Sequence, residues 1–288
     1  MALRRLRRVD LVLLAWVGVA TAAGLARLDS APRVEWVFAA HGLVLVLIAL
    51  LRFARAGRTG AVVGELYPLL LILALYGSLD LLAASGGVRT WDSEVRLAEE
   101  ALFGAQISRT WWQSAPSRFW STVLHASYFS YYLVVPAGPL WFLRRRDHAA
   151  LRRSVLVIFT TFVLCYACFL FFPVAGPYYE FPRPDRMMLD NWAARLVYGV
   201  LENGSSYGAA FPSSHVAATL AATGAAAIAS PRLGLVLALP SLLLTIGVVY
   251  CQMHYAVDAV AGVLVASVVL GVVRMSDGQT GRRTALLG

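Results

Sequence analysis

Two histidines and an aspartate stand at the start of apolar segments, with types and spacing that suit nucleophilic or acid–base chemistry. His254 and Asp258 are four residues apart, so on a helix they share one face. The carboxylate there would fix the imidazole tautomer and raise its basicity. His215 ends the stretch 211–215, FPSSH, and opens a segment of small residues. These three residues are therefore the first candidates for a chemical site.

Two serines precede His215 and predict the start of a helix. Proline followed by serine favours helix initiation, and the hydroxyl of Ser213 or Ser214 can cap the first turn. The first turn of a helix has unpaired amides and the positive end of the helix dipole, which together favour an anion. The start of this helix is therefore suited to an anionic phosphate.

The composition is that of a membrane protein. Hydrophobic residues make up 59% of the 288 residues and charged residues only 14%, whereas a soluble domain carries about 25% charged residues. A membrane-spanning helix needs about 20 mostly apolar residues. Such segments predict an all-α, polytopic transmembrane bundle of about eight spans, at 10–27, 34–54, 61–84, 121–143, 154–172, 212–230, 233–250 and 256–274.

The arginines predict the orientation of this bundle. All 25 basic residues are arginine, and 16 lie at the N-terminus, in the loops 52–60 and 144–153, in the 231–232 turn and in the tail. The positive-inside rule makes that side cytoplasmic. Both termini are then cytoplasmic, in a plasma or inner membrane, and the histidine pair is extracytoplasmic. Arginine clusters between apolar segments follow this rule and do not indicate a nucleic-acid partner.

The first apolar segment has two interpretations. Arginines precede it and its length is that of a signal peptide. Further spans follow at once, which favours a retained anchor over cleavage within residues 1–27. Cleavage would leave the sidedness of every later span unchanged.

Two long loops fall on the extracytoplasmic side. In the first, residues 91–120 combine apolar residues at helical spacing with tryptophans, which predicts an amphipathic helix in the headgroup layer. The second, 173–211, is too polar to cross lipid and long enough to be functional. We therefore divide the chain into two N-terminal helices (1–60), a core (61–275) and a cytoplasmic tail (276–288).

The combined motifs resemble those of the type 2 phosphatidic acid phosphatase superfamily, and within it the branch that includes inositol phosphorylceramide synthase. The resemblance covers roughly residues 60–275 and implies a six-helix catalytic core after two N-terminal helices. It rests chiefly on residues 211–217, FPSSHVA, and on Tyr250, His254, Tyr255, Asp258, Ala261 and Gly262. Further matches are Glu99, Leu102, Phe103, Gly104, Ser130, Tyr131, Tyr132, Pro173, Gly176 and Pro177.

The resemblance implies a mechanism that needs neither a metal nor a cofactor. His254 would attack phosphorus and form a phosphohistidine, with Asp258 orienting the ring. His215 would protonate the leaving oxygen and then deprotonate the accepting water or alcohol. Ser213 and Ser214 would hold phosphate oxygens. The implied partners are a membrane lipid and an alcohol or water acceptor.

Several cations of the family pattern are missing from this chain. The wider superfamily has lysine at the position of Gly176, and Ser-Arg at the positions of Gly247 and Val248. The closer branch has arginine at the positions of Tyr178 and Gln252. Few charged groups are therefore left to hold a phosphate.

The remaining candidates for substrate binding are two arginines and three weaker polar groups. Arg183 is the one basic match and Arg186 lies nearby, while Gln252 and Tyr178 can donate hydrogen bonds. His125 opens the fourth predicted span beside several tyrosines, where lining a polar cavity and packing are equally good interpretations.

The scarcity of cations bears on the substrate. A phosphate monoester carries close to two negative charges at neutral pH, a diester carries one, and unpaired charge in a shielded site is costly. We therefore predict transfer of a lipid phosphodiester headgroup to an alcohol acceptor. The alternative is a lipid phosphate or diphosphate phosphatase that uses Arg183 and Arg186. Alternatives of another class are a lipid-binding transporter and a catalytically dead membrane subunit.

Overall fold

The computed structural model describes residues 6–31, 33–53, 58–82, 89–204 and 206–285. Within them the secondary structure is α-helical, as predicted, apart from one isolated bridge between Val174 and Ala209. The helices are α1 (Arg8–Leu25), α2 (Val34–Phe53), α3 (Arg58–Leu81), α4 (Asp92–Phe103), α5 (Ile107–Ser114), α6 (Arg118–Phe129), α7 (Tyr131–Arg145), α8 (His148–Phe171), α9 (Pro177–Glu180), α10 (Arg186–Leu189), α11 (Trp192–Gly204), α12 (Ser214–Ala229), α13 (Pro231–Tyr250) and α14 (Ala256–Ala285).

Six of the described helices are long and apolar enough to cross a membrane: α1, α2, α3, α8, α13 and α14. They carry large apolar side chains on their outer faces, such as Leu73, which is 75% exposed, and Leu235, which is 77% exposed. Continuous apolar surface of this kind is stable only against lipid. The chain is an integral membrane protein.

Two of the predicted spans differ from the others in the structure. The predicted span 121–143 is interrupted at Ser130, where α6 ends and α7 begins. The residues around Ser130 are all compatible with a helix, so the apolar pattern alone does not reveal the interruption. The predicted span 212–230 contains α12, which has 16 residues and a length of about 24 Å.

Other predicted boundaries also shift. The single interfacial helix predicted at 91–120 is two helices, because Gly104 adopts a left-handed conformation with φ 73° and ends α4. Such a C-terminal glycine is a common helix stop. The last helix continues to Ala285, so most of the predicted tail is helical. Arg4 and Arg5, loop residues 54–57, the end of the third predicted span and residues 286–288 lie outside the described residues.

Both ends of α1 are tied to later helices. At its start, the Tyr67 hydroxyl of α3 donates to the Asp10 carboxylate at 2.6 Å. After its end, Arg27 donates to the carbonyl oxygens of Leu82 and Leu170 at 3.0 and 3.1 Å. Carbonyls at the ends of helices have no partner within their own helix, so Arg27 satisfies α3 and α8 together.

Helix α12 lies at the centre of the later helices and packs against α7, α8, α13 and α14. Ser213 caps it by accepting a hydrogen bond from the Val216 amide. Small side chains allow helix backbones to approach closely within a membrane, and the buried face of α12 is largely alanine: Ala217, Ala218, Ala221, Ala222, Ala225 and Ala226. This packing fixes the helix that carries His215.

The approach between α12 and α14 is closest at Gly262. A Cβ atom there would lie 2.7 Å from the carbonyl oxygen of Ser213, so a larger residue would push the two helices apart. The same approach brings the Ser213 amide to 3.0 Å from the carbonyl oxygen of Asp258. Gly262 therefore holds the start of α12 against the start of α14.

We expect Gly262→Ala to destabilise the protein by about 1–3 kcal/mol, the usual cost of overpacking. It should also lower activity, because the start of α12 carries His215. The matched control is Gly271→Ala on the same helix, where a Cβ meets no atom within 4 Å. Thermal unfolding of the purified variants in detergent measures the difference. Equal unfolding temperatures for the two variants would contradict the role given to Gly262.

Candidate active site

His254 lies in the turn between α13 and α14, and the structure fixes its ring orientation. Its Nδ1 atom is 3.0 Å from the carbonyl oxygen of Ala210. A carbonyl oxygen can only accept, so Nδ1 carries the proton and Nε2 keeps its lone pair. Burial lowers the pKa of His254 to about 4. The ring is therefore neutral at physiological pH, which is the state a nucleophile requires.

Asp258 lies close to His254, as its spacing predicts, but it is the more distant of two acceptors. Its Oδ2 atom is 3.4 Å from His254 Nδ1 and accepts a hydrogen bond from the Tyr255 amide at 2.9 Å. The side chain is fully buried in the first turn of α14. The carboxylate thus holds the turn that carries His254, while the Ala210 carbonyl makes the shorter contact with the ring.

His215 lies in the first turn of α12 and faces His254. The centroids of the two imidazole rings are 5.9 Å apart. The His215 ring lies between the rings of Tyr128 and Tyr131, each with its centroid 4.6 Å away. Its Nδ1 atom is 3.5 Å from the Tyr128 hydroxyl. Two imidazoles in this arrangement can act on opposite sides of one phosphorus atom, as nucleophile and as acid–base group.

The two histidines share a cavity of about 160 Å³. Its described lining includes Ser214 and Ala210 but neither arginine nor lysine. The remaining walls are mostly aliphatic and aromatic, and seven tyrosines line it: Tyr76, Tyr128, Tyr131, Tyr132, Tyr166, Tyr178 and Tyr179. Such a cavity combines hydrogen-bonding hydroxyls with apolar surface and suits an amphipathic substrate of low charge.

The two serines predicted to bind phosphate differ in the structure. Ser213 is fully buried and its hydroxyl accepts from the Val216 amide at 3.4 Å, so it serves as the helix cap. Ser214 is the serine that lines the cavity. A phosphate beside His215 would therefore meet the Ser214 side chain and the first amides of α12, which favour an anion.

The two predicted arginines lie outside the cavity lining. Arg183 pairs with Glu202 at 3.3 Å, donates to the Tyr178 hydroxyl at 3.1 Å and lies 5.1 Å from the ring centroids of both Tyr178 and Tyr198. Tyr178 itself lines the cavity, so Arg183 contacts the cavity wall without lining the cavity. Arg186 is exposed on α10 and does not line it.

The side chains of Gln252 and His125 both make hydrogen bonds within the protein. The Gln252 side chain accepts from Trp112 at 2.9 Å and donates to the carbonyl of Pro182 at 2.8 Å. These contacts use the carbonyl oxygen and one of the two Nε2 hydrogens, so donation of the second hydrogen to substrate stays a prediction. His125 is buried with Nδ1 2.8 Å from the Ser121 carbonyl oxygen. Of its two interpretations, packing is the one the described contacts favour.

Two acidic residues that the sequence did not single out as functional anchor the site from α4. The Asp92 carboxylate accepts from the amides of Ala175 and Gly176, each at 2.8 Å, and from the Tyr255 hydroxyl at 3.1 Å. Glu99 accepts from the Ala256 amide at 3.1 Å, and burial raises the pKa of Glu99. These carboxylates bind the residues that directly follow His254.

A periodicity in α4 could have identified the pair. Asp92, Val95 and Glu99 are spaced three and four residues apart, so they share one helix face, and they are the buried residues of α4. An amphipathic helix in the lipid headgroup layer is expected to turn its charged residues toward water. Two acids on the same face as a buried valine indicate buried partners instead.

Gly176 explains why the lysine of the wider superfamily is missing here. Its φ is +90°, and a Cβ atom would lie 2.8 Å from the Cβ of Ala210. The neighbouring Val174 pairs with this segment, because its carbonyl accepts from the Ala210 amide at 2.8 Å. A side chain at Gly176 would therefore displace the residue whose carbonyl orients His254.

The family of the chain follows from comparison with known sequences. A sequence model of the PAP2 superfamily, the type 2 phosphatidic acid phosphatases, matches residues 95–272. The match covers well over half of the chain and includes both histidines, so the chain belongs to the PAP2 superfamily. Membership indicates phosphatase or phosphotransferase activity on lipid phosphates. No curated protein and no solved structure is significantly similar to the chain.

We expect Asp92→Asn to lower kcat about 10- to 100-fold. An asparagine offers one acceptor oxygen instead of two, and a lost hydrogen bond to a charged group costs about 1.5–3 kcal/mol. The segment beside Ala210 would then shift relative to His254. The matched control is Glu94→Gln, an exposed position on the same helix. Steady-state kinetics with a lipid phosphate measure the effect, and an unchanged kcat in Asp92→Asn would contradict it.

Proposed function

We propose that the chain is a membrane phosphotransferase that moves a lipid headgroup phosphate to an alcohol acceptor through a phosphohistidine on His254. The observation that carries the proposal is the cavity itself. His254 and His215 face each other across it, yet its described lining contains no arginine and no lysine. A phosphodiester has one negative charge, so it fits this lining better than a monoester with nearly two.

The first half of the proposed reaction forms the covalent intermediate. The Nε2 lone pair of His254 attacks phosphorus, and the bond from phosphorus to the lipid alcohol oxygen breaks. The negative charge of the bound phosphodiester favours the protonated form of His215, which gives its proton to the departing oxygen. The His254 ring becomes positively charged, and the Ala210 carbonyl with the Asp258 carboxylate stabilises that charge through Nδ1–H.

The second half transfers the phosphoryl group to the acceptor. Neutral His215 takes the proton from the acceptor alcohol as its oxygen attacks phosphorus. The bond between phosphorus and His254 Nε2 breaks, which restores the neutral ring. The acceptor then carries the headgroup phosphate and His215 is protonated again, as at the start. Ser214 and the first amides of α12 hold the non-bridging oxygens throughout.

A phosphatase acting on lipid phosphates or diphosphates is the second candidate. Arg183 favours it, because the guanidinium lies one residue from the cavity and touches its Tyr178 wall. A movement that exchanged the Glu202 partner of Arg183 for substrate would add a cation for a more highly charged phosphate. A transporter or an inactive subunit would leave the ordered His254 ring without a use.

We also propose eight membrane spans, with the histidine pair on the extracytoplasmic side. The two spans beyond the six long helices are α12 and the α6–α7 pair, each of which joins the two ends of the bundle. Arginine clusters at the opposite end support this orientation through the positive-inside rule. The likeness to the inositol phosphorylceramide synthase branch supports the transfer reaction rather than hydrolysis.

The covalent intermediate provides the first test of the proposal. Protein incubated with a phospholipid labelled in its headgroup phosphate, then denatured rapidly, should retain label on wild type and lose it in His254→Ala. The matched control is His148→Ala, an exposed histidine at the start of α8, which should label as wild type does. Equal labelling of His254→Ala and wild type would remove His254 as the nucleophile.

The same preparations distinguish transferase from phosphatase. Headgroup exchange from phospholipids to several alcohol acceptors is compared with release of inorganic phosphate from a lipid phosphomonoester, in one detergent. The proposal expects exchange to be the faster reaction. Rapid phosphate release with no exchange for any headgroup or acceptor would favour the phosphatase.

Cysteine labelling tests the orientation. In a background without Cys165, Cys168 and Cys251, single cysteines at the exposed positions His148 and Met187 are treated with an impermeant thiol reagent in intact cells. The proposal expects labelling at position 187 and protection at position 148. The opposite pattern, or labelling at both positions, would reject the proposed sidedness.

A further inference from the structure

A second cavity lies at the end of the bundle opposite the histidine pair. It has a volume of about 450 Å³ and is lined by Arg7 and Arg8 of the N-terminal segment, Arg152 and Arg153 of α8, and two acids. The family match begins at residue 95, so half of these arginines lie outside it. Nothing in the proposed reaction uses this cavity.

The two acids of the cavity are each shared by two arginines. Glu65 lies 3.6 Å from Arg7 and 3.8 Å from Arg152. Asp277 pairs in the same way with one arginine from each helix, Arg8 at 3.0 Å and Arg153 at 2.8 Å.

Positive charge is in excess around this cavity. Asp10 adds a third carboxylate through its pair with Arg7. Four guanidinium groups therefore face three carboxylates, and the excess favours an anionic ligand.

The depth of the cavity in the membrane indicates the source of that anion. Along α14, Asp277 lies 21 residues after Ala256, which begins the helix beside His254. At 1.5 Å per residue this is about 32 Å, close to the thickness of the hydrocarbon core, about 30 Å. The arginines therefore lie at the headgroup layer of the leaflet opposite the active site.

An apolar groove adjoins the arginine cavity. It has a volume of about 280 Å³ and runs between α8, α12 and α14, where Val157, Ile228 and Leu270 line it. The cavity and the groove share Arg153, Val273 and Asp277. Arg274 also lines the groove, so the cavity and the groove together have five guanidinium groups. A basic cavity continuous with an apolar groove has the form of a phospholipid, with a charged headgroup and an acyl chain.

We propose that this cavity and groove bind an anionic phospholipid of the leaflet opposite the active site. The phosphate lies among the arginines of α1 and α8, and an acyl chain lies along the groove. The bound lipid offsets the excess charge and joins α1 to α8 and α14. The proposal depends on the membrane placement of the helices and is independent of the reaction at His254.

The test uses the full chain with His254→Ala, so that no added lipid is turned over. Thermal unfolding and native mass spectrometry are compared in nanodiscs of phosphatidylcholine with and without phosphatidylglycerol. We expect the anionic lipid to raise the unfolding temperature and to remain bound. Arg152→Gln and Arg153→Gln should each weaken its binding about fivefold, since one arginine near a membrane surface contributes about 1 kcal/mol.

Further variants separate lipid binding from a simple link between helices. Arg153→Lys keeps the charge and should retain the lipid. Asp277→Asn increases the excess of positive charge and should tighten lipid binding. If these residues only linked the helices through ion pairs, the same substitution would weaken the link and would not tighten lipid binding. Arg195→Gln, an exposed arginine on α11 paired with Asp190, is the matched control and should leave lipid binding unchanged.

Three outcomes would overturn the proposal. The first is equal stabilisation by phosphatidylcholine and phosphatidylglycerol. The second is equal loss of the lipid effect in Arg195→Gln and Arg153→Gln. The third is full stabilisation by inorganic phosphate or glycerol phosphate in the absence of anionic lipid, which would make the cavity a site for soluble anions.

Discussion

The buried carboxylate of Asp92 is the interaction on which the candidate active site depends. It accepts hydrogen bonds from the consecutive backbone amides of Ala175 and Gly176 and from the hydroxyl of Tyr255. These groups belong to segments far apart in the chain: the first pairs with Ala210 through Val174, and the second carries His254. Hydrogen bonds to a buried charge are stronger than neutral ones. One side chain on α4 therefore joins the turn that carries His254 to the segment that pairs with Ala210, whose carbonyl orients the ring.

The same backbone arrangement leaves little room for the cations of the wider family. Gly176 cannot carry a side chain without displacing Ala210, and Val248 is fully buried in an apolar cluster. The Gln252 side chain, where the closer branch has arginine, accepts from Trp112 and donates to the carbonyl of Pro182. Within the described lining, the groups left to meet a charge are helix amides, hydroxyls and the two imidazoles.

The sequence allowed the membrane class, the helical fold and the facing histidines to be predicted, because these depend on composition and on short motifs. The backbone partners of the Asp92 carboxylate and the contact between the Ala210 carbonyl and His254 could not be predicted in the same way. Each depends on which backbone groups from distant segments meet. Gln252 illustrates the reason: its residue type suits a phosphate donor, but its described partners, Trp112 and Pro182, depend on how α5 packs against α13.

Helices α1 and α3, which precede the matched residues 95–272, contribute lining residues to the cavities at the two ends of the bundle. From α3, the residues Ile72, Leu73 and Tyr76 line the cavity of the two histidines, so part of its apolar wall comes from outside residues 95–272. The start of α1 supplies two arginines to the opposite cavity. Both histidines belong to the matched family region, and the helices before it add part of the lining of each cavity. Because α3 contacts α8 rather than the turn that carries His254, its three lining residues shape the cavity without holding either histidine.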